Sequence, residues 1–592
     1  MQGLIFAAKP RRRLIPVMET ESTHRPPLAF FLAVFLCGLA LCLQRASAAA
    51  PATATAHERP RRPNIFFFFA DDWGRYASIY NDNPVNRVIR TPGFDRVGRE
   101  GGRFNNAHVC SPSCTPSRSA LFSGQYFYRT GRGSILRPAV WDYSIPSFPL
   151  LLEKSGYRIG HTYKAWGPGT PANAPFGATR TQFTDAGSRF NRFSQNVTRL
   201  VAGGEDREAA KEKLYKECLD NFEAFLAAGR ASPEEAAKPF CYYFGPTNTH
   251  RTWEKGSGKA LWGLDPDDLK GKLPKFLPDV PEVREDFCDY LGEVLALDAV
   301  LQRFLARLEA AGELDNTIIV VSGDHGIPGF PRAKCNLYNI GTEVALLVRW
   351  GNHIKPGRAV DDFINLMDLA PTFLEAAGET PPACMTGRSI LPLLRSGKDG
   401  QIDPRRDYVI TGRERHFDRA RADYTPYPQR AIRTKEFLYI RNFKPERRPM
   451  GDPYAWHAGA LPGNFAQQSA DTGLAFPDMD ASPTKTWLLL HGAEPEWAPY
   501  WEYAFGRRPA EELYDLRNDP DYLINVAADP AYAGQRQSLA ARLTGVLTAT
   551  GDPRVTGDGE TFEKPPFAGP GTLDETMRGK PRAKQNPAAN RH

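Results

Sequence analysis

Residues 64–72 read Asn-Ile-Phe-Phe-Phe-Phe-Ala-Asp-Asp. Ile65 to Ala70 is an apolar run with no alternation, the pattern of a strand buried on both faces, as in a parallel sheet. The run stops at two carboxylates, Asp71 and Asp72. Thr317 to Val321 (TIIVV) repeats the pattern and is soon followed by Asp324-His325. Arg158 to Thr162, Phe240 to Phe244 (FCYYF) and Val344 to Val348 (VALLV) read as further short strands. Leu150 to Gly156 and Leu291 to Ala311 have helical apolar spacing. Strands alternating with helices predict an α/β domain with a large, mostly parallel sheet flanked by helices. Ligands of such sheets gather beyond the carboxyl ends of the strands. Asp71-Asp72 and Asp324-His325 are therefore expected in one site, far apart as they are in sequence.

Working outward, residues 63–400 are expected to form this domain. Beyond it the texture changes to short strand-like pieces in Arg-rich surroundings: Tyr408 to Thr411, Ala431 to Arg433 and Phe437 to Ile440. Leu539 to Leu547 looks like a closing helix. Residues 401–550 read as a smaller C-terminal α+β domain, and the Gly/Pro-rich residues 551–592 as an arm or tail. No internal repeat of useful length is visible.

At the other end, Leu28 to Leu43 (LAFFLAVFLCGLALCL) is short for a spanning helix and suits the apolar core of a signal peptide. Basic residues precede it, and Ala46-Ser47-Ala48 fits a cleavage site. Residues 1–48 are read as a signal peptide, with Met18 an alternative start, and 49–62 as a linker. The chain would then be secreted or periplasmic, with no membrane attachment after cleavage. The net charge is +7 over 592 residues, but the signal region carries six basic and two acidic residues, which leaves the mature chain near +3. No basic stripe or stacking motif marks a nucleic-acid binder. Hydrophobic residues at 41 % and charged residues at 24 % exclude a disordered chain.

Of nine cysteines, Cys37 and Cys42 leave with the signal. No C-x-x-C pair marks a zinc ribbon. Cys110, Cys218, Cys241, Cys288, Cys335 and Cys384 are candidates for pairing in an oxidising compartment. Cys114 stands apart by its context.

That context is Cys114-Thr115-Pro116-Ser117-Arg118-Ser119-Ala120-Leu121-Phe122-Ser123-Gly124. It resembles the C-x-P-S-R signature of type I sulfatases, which implies an alkaline-phosphatase-like fold. The resemblance implies that Cys114 is oxidised to formylglycine by a formylglycine-generating enzyme, which reads Pro116 and Arg118. A hydrated aldehyde at a helix start sits where N–H groups favour negative charge. One of its hydroxyls attacks sulfur and the other later expels sulfate.

The same resemblance assigns Asp71, Asp72, Asp324 and His325, with the matured Cys114, to one divalent cation. Three carboxylates suit Ca²⁺, while His325 leaves room for Mn²⁺ or Mg²⁺. Gly156 to Gly167 is similar to the family's G-Y-x-T-G-x-x-G-K-W-H-L-G element, with Lys164 as its lysine. The histidine expected two residues later is Trp166, and His161 is the nearest stand-in. Pro246 to Arg251 resembles a block of the N-sulfoglucosamine sulfohydrolase branch, with Asn248 in place of its acidic residue. His250 would contact sulfate and protonate the leaving group. Lys334 falls where the family places a second sulfate-binding cation. Weaker matches are Thr91-Pro92 to Asp95, Met367 to Thr372, Thr386 to Ser389 and Glu512 to Leu516.

The resemblance thus implies a hydrolase that desulfates a glycan, N-sulfoglucosamine being preferred, with Arg118 among the sulfate donors and Arg251, Arg415 and His416 as candidate sugar contacts. Three alternatives remain open. One is an O-sulfatase acting on another polysaccharide. Another is a phosphohydrolase or phosphonate hydrolase on the same fold, against which Cys114 argues. The last is a non-catalytic sulfated-glycan-binding protein, for which Trp166 speaks.

Overall fold

The structure, a computed structural model, describes residues 61–570. The signal segment, its cleavage site, most of the linker and residues 571–592 lie outside the described residues.

The apolar runs become strands β1 (Asn64–Ala70), β2 (Gly102–His108), β3 (Arg158–Tyr163), β4 (Phe240–Gly245), β5 (Thr317–Gly323), β6 (Leu346–Arg349) and β7 (Arg358–Asn365). They form one sheet in the order β3-β4-β1-β5-β6-β2-β7. Phe67 of β1 lies between Tyr243 of β4 and Val320 of β5, both parallel to it. Only β6 runs against its neighbours β5 and β2. Successive side chains of β1 enter opposite layers. Phe66, Phe68 and Ala70 pack in one layer with Phe222 and Phe304. Ile65, Phe67 and Phe69 pack in the other with Phe373 and Leu346. Burying each such phenylalanine contributes about 1.5–3 kcal/mol, which is why the run needs no polar face.

A second, antiparallel sheet follows: β8 (Tyr408–Arg413), β9 (Gln429–Thr434), β10 (Phe437–Asn442) and β11 (Glu511–Asp515), in the order β11-β10-β9-β8. The helix Ala533–Ala549 closes it with Leu539, Leu543 and Leu547 buried. Between the paired strands β10 and β11 the chain makes a long excursion, residues 443–510. Its helix Pro483–His491 is fastened to the long helix Pro281–Ala310, where Thr484 Oγ1 donates to Asp286 at 2.6 Å. Ser482 Oγ donates to the Gly329 carbonyl at 2.7 Å.

Residues 551–570 are a packed arm. Asp552 takes a charge-assisted bond from Arg430 Nε at 2.5 Å, and Arg554 binds Glu414 at 2.6 Å, all four residues being buried. All seven described cysteines are free, so the expected pairing does not occur among them. Cys241 lies in β4, and Cys218 and Cys288 lie in separate helices, each serving as a small apolar core residue. Among the described residues no helix is long and apolar enough to cross a membrane.

Candidate active site

Four neighbouring parallel strands, β3-β4-β1-β5, each end at a residue with chemistry. Lys164 follows β3, the Pro246–His250 turn follows β4, Asp71-Asp72 follow β1, and Asp324-His325 follow β5. Adjacent strands lie about 4.8 Å apart, so parallel order alone brings these groups to one edge. Asp72 adopts the left-handed conformation, φ 57°, which Asp tolerates better than most residues. Its amide donates to Asp324 Oδ1 at 2.8 Å and ties the two strand ends together.

The helix Cys114–Ser123 enters from the loop after β2, with Cys114 as its first residue. Ser113 at its N-cap makes no capping bond, because its hydroxyl pairs with His416 Nδ1 at 2.8 Å. Ser117 Oγ donates to the Asp324 carbonyl at 2.6 Å and fixes the helix to the end of β5. The helix ends at Gly124, φ 64°, where a Cβ would meet Met385 Sδ at 2.8 Å; only glycine suits that turn.

Around Cys114 the polar groups converge. Its Sγ lies 3.3 Å from His325 Nε2 and 3.8 Å from Asp72 Oδ1. His325 Nδ1 faces the Gly326 carbonyl at 3.1 Å; a carbonyl only accepts, so Nδ1 carries a proton and Nε2 is the ring nitrogen turned to Cys114 and Asp72. Lys164 Nζ is 2.6 Å from Asp71 Oδ1, and Lys334 Nζ is 2.9 Å from Asp72 Oδ2. Burial would raise the Asp71 carboxyl, but Lys164 and Arg118 outweigh it and hold it well below the usual carboxylate range. Burial and then Asp71 push the Cys114 thiol well above its ordinary value, which makes the unmodified thiol a poor nucleophile.

The ligand atoms of Asp72, Cys114 and His325 lie within 4.8 Å of one another, as do those of Asp71, Cys114 and Asp324. Three buried carboxylates and one imidazole nitrogen are a donor set that fits a hard divalent cation.

A cavity of about 770 Å³ opens above this cluster, within the range of small-molecule sites. Cys114, Lys164, His250, Lys334 and His416, all named from sequence, line it. His250 Nδ1 meets the Arg251 carbonyl at 2.6 Å, and its Nε2 lies 3.9 Å from Asp72 Oδ2. Burial brings His416 down to a pKa of about 3, so it is neutral.

Three expected contacts are corrected. Arg118 is fully buried beneath the cavity, donating to Asp324, Asp71, Tyr243 Oη and the carbonyls of Lys164 and Ala165. It holds the carboxylates, not the sulfate. Arg251 makes a two-pronged pair with Asp286 at 2.8 and 2.9 Å and stacks on Trp253, off the cavity. Arg415 is buried with its guanidinium on the carbonyls of Arg137 and Tyr424, bracing the loop that carries Arg137. His161 is also turned away from Cys114, bonded to Thr181 and Asn173. Asn248 is buried against Glu293.

Trp166 lines the cavity, its Nε1 donating to Ser119 Oγ at 2.9 Å. An indole only donates, so it cannot take a proton there. Asn173 accepts from the amides of Ala165 and Trp166 at 2.9 and 2.8 Å and shapes that loop. Sequence reasoning missed Asp480, which reaches the cavity from the excursion and lies 3.2 Å from Lys334 Nζ. No motif surrounds it.

Solved structures share this architecture. BT4656, seen with its substrate D-glucosamine-2-N,6-O-disulfate, is 18 % identical with a TM-score of 0.52, over 84 % of this chain and 100 % of that one. A phosphonate monoester hydrolase from Silicibacter pomeroyi is 16 % identical with a TM-score of 0.52, over 84 % and 97 %. At such identities the likeness shows the fold alone. Human N-sulphoglucosamine sulphohydrolase is 28 % identical over 533 residues, 86 % of this chain and 94 % of that protein. An ulvan-active sulfatase of Formosa agariphila is 27 % identical over 546 residues, 86 % and 79 %. The N-sulphoglucosamine sulphohydrolase C-terminal family model matches residues 325–447. The Sulfatase family model matches residues 63–379, more than half of the chain, including the ends of β1, β3, β4 and β5. With both models and these relatives in agreement, the chain belongs to the type I sulfatases, hydrolases of sulfuric esters or sulfamates, in the branch of N-sulphoglucosamine sulphohydrolase.

Proposed function

We propose that the chain is an exported enzyme that releases sulfate from a sulfated glycan, by preference from N-sulfoglucosamine, after Cys114 has been oxidised to formylglycine. The observation that carries this is the position of Cys114. It is the first residue of a helix, at the floor of a cavity, between Lys164, Lys334 and the buried carboxylates. The raised thiol pKa argues against a thiolate mechanism, whereas the surrounding acceptors and donors suit the hydroxyls of a hydrated aldehyde.

Asp71, Asp72, Asp324 and His325 would hold the cation, which when bound supplies positive charge beside the sulfate oxygens. Lys164 and Lys334 add fixed charge at the cavity floor, each worth on the order of 2–4 kcal/mol in a site shielded from water. Arg118 keeps the carboxylates in place. His250, on the cavity wall with Nδ1 engaged, presents Nε2 to protonate the leaving atom. Residues 63–400 would carry the chemistry and residues 401–550 would close the cleft over it. The leader 1–48 directs export.

The preference for an N-sulfate is supported by the match of residues 325–447 to the C-terminal model of that branch, the segment that contains Lys334 and His416. The ulvan-active relatives favour a second reading, an O-sulfatase acting on another polysaccharide. A desulfation screen of matured protein against N-, 2-O- and 6-O-sulfated glycans tests both. Mass spectrometry of the Cys114 peptide tests maturation, and an unmodified cysteine in natively produced protein would leave the non-catalytic binder.

A further inference from the structure

The cavity wall supplied by residues 443–510 carries a carboxylate that sulfate release does not call for. Asp480 Oδ2 is buried against Lys334, while the side chain as a whole is 20 % exposed on the cavity. Its charge is not needed to neutralise Lys334, which already pairs with Asp72 at 2.9 Å. Asp71, Asp72 and Asp324 pair with Arg118, Lys164 and Lys334 beneath the cavity, whereas Asp480 stands on its wall as a fourth carboxylate. Burial would raise its pKa, but Lys334 outweighs it and holds the group well below the usual carboxylate range.

A carboxylate so placed repels sulfate and attracts a cation. It is justified when the ligand carries a positive group beside the sulfate position. We propose that Asp480 receives the ammonium group of an amino sugar held in the cavity. This rests on the reading of the site as one of sulfate release, and it deepens that reading. For an N-sulfated sugar the N–S bond breaks with its electron pair left on nitrogen. That nitrogen gains one proton from His250 and one from solvent. The balance is R–NH–SO₃⁻ + H₂O → R–NH₃⁺ + SO₄²⁻, and Asp480 faces the new cation. An O-sulfate leaves a neutral hydroxyl, to which the same carboxylate offers an uncharged hydrogen bond only.

Ligand-observed NMR on the full matured chain at neutral pH would compare glucosamine, N-acetylglucosamine and inorganic sulfate. Glucosamine is expected to bind on the order of tenfold more tightly than its N-acetyl analogue, as a charge-assisted bond requires. Asp480→Asn should remove that preference and leave sulfate binding as tight or tighter, while Asp480→Glu should keep part of the preference. Absence of the preference in the unaltered chain overturns the proposal whether or not the variants fold. So does an Asp480→Asn chain that loses sulfate affinity as much as glucosamine affinity, because the carboxylate would then only hold Lys334. Binding is read here without turnover. A chain that prefers glucosamine yet desulfates only O-sulfated sugars would retain the ammonium contact and lose the N-sulfate substrate.

Discussion

His325 Nε2 lies 3.3 Å from Cys114 Sγ and 3.2 Å from Asp72 Oδ1, so one ring nitrogen joins the ends of β1 and β5 to the start of the Cys114–Ser123 helix. With Nδ1 held by the Gly326 carbonyl, that nitrogen is the one placed to ligate. Chelation of the matured enzyme should abolish turnover, and added Ca²⁺ should restore it. Asp72→Ala should lower both bound divalent metal, measured by elemental analysis, and the melting temperature. Full activity in a preparation free of divalent ions would refute the assignment.

Cys114→Ala should fold with an unchanged melting temperature and show no turnover, since the side chain is small and its neighbours bond to one another. In the unaltered chain the Cys114 peptide should carry an aldehyde. Retained activity in the alanine variant would end the formylglycine mechanism.

Removing Arg118 should cost stability before anything else. Its guanidinium lies 2.9 Å from Asp71 and 2.8 Å from Asp324 with no exposure. Arg118→Met leaves two buried carboxylates short of a partner, a change worth about 3–5 kcal/mol. Denaturant unfolding should record that loss; a loss of less than 1 kcal/mol would show that the pair is not structural.

Arg251 and His416 should separate by readout. Arg251→Ala should lower the unfolding midpoint through the broken Asp286 pair, with a small change in KM. His416→Ala should lower kcat/KM by on the order of tenfold, because the ring lines the cavity and holds Ser113 at the helix start. An unchanged kcat/KM in the His416 variant would remove that residue from the site.

Glu293, which holds Asn248 beneath the His250 turn, gives a pH test of stability. Burial raises its carboxyl to about 7, against about 4.3 in an unfolded chain. Between those values the folded state binds more protons than the unfolded one, so this group's contribution falls as pH rises, by about 4 kcal/mol in all. Glu293→Gln should flatten the decline of stability between pH 4.5 and 8, read from urea midpoints. An unaltered slope would count against the buried acid.

The sequence declares those parts of the site that chemistry restricts to few residue types. Ile65 to Ala70 is apolar throughout because both faces of β1 are covered, and Cys114 to Arg118 is legible because a helix start must present one reactive side chain. The direction of β6 was not legible, since a strand buried on both faces has the same composition whichever way it runs. β2 was missed because Asn105 and Asn106 interrupt its apolar pattern where the register shifts at the sheet's far side. Arg251 and Arg415 misled because sequence shows a charge and not its partner; Asp286 and the Arg137 carbonyl reach them through the fold. Asp480 stood in no pattern at all, as it depends on where a long loop comes to rest.

That loop leaves the small sheet at the end of β10 and returns at β11, two strands paired side by side. Its stem is therefore closed, but its body is tied back to the larger sheet's side of the molecule, Thr484 to Asp286, Ser482 to Gly329 and Asp480 to Lys334. The cleft wall and the cleft floor are thus one connected body: any replacement of residues 443–510 has to keep those three anchor points or it also shifts Lys334.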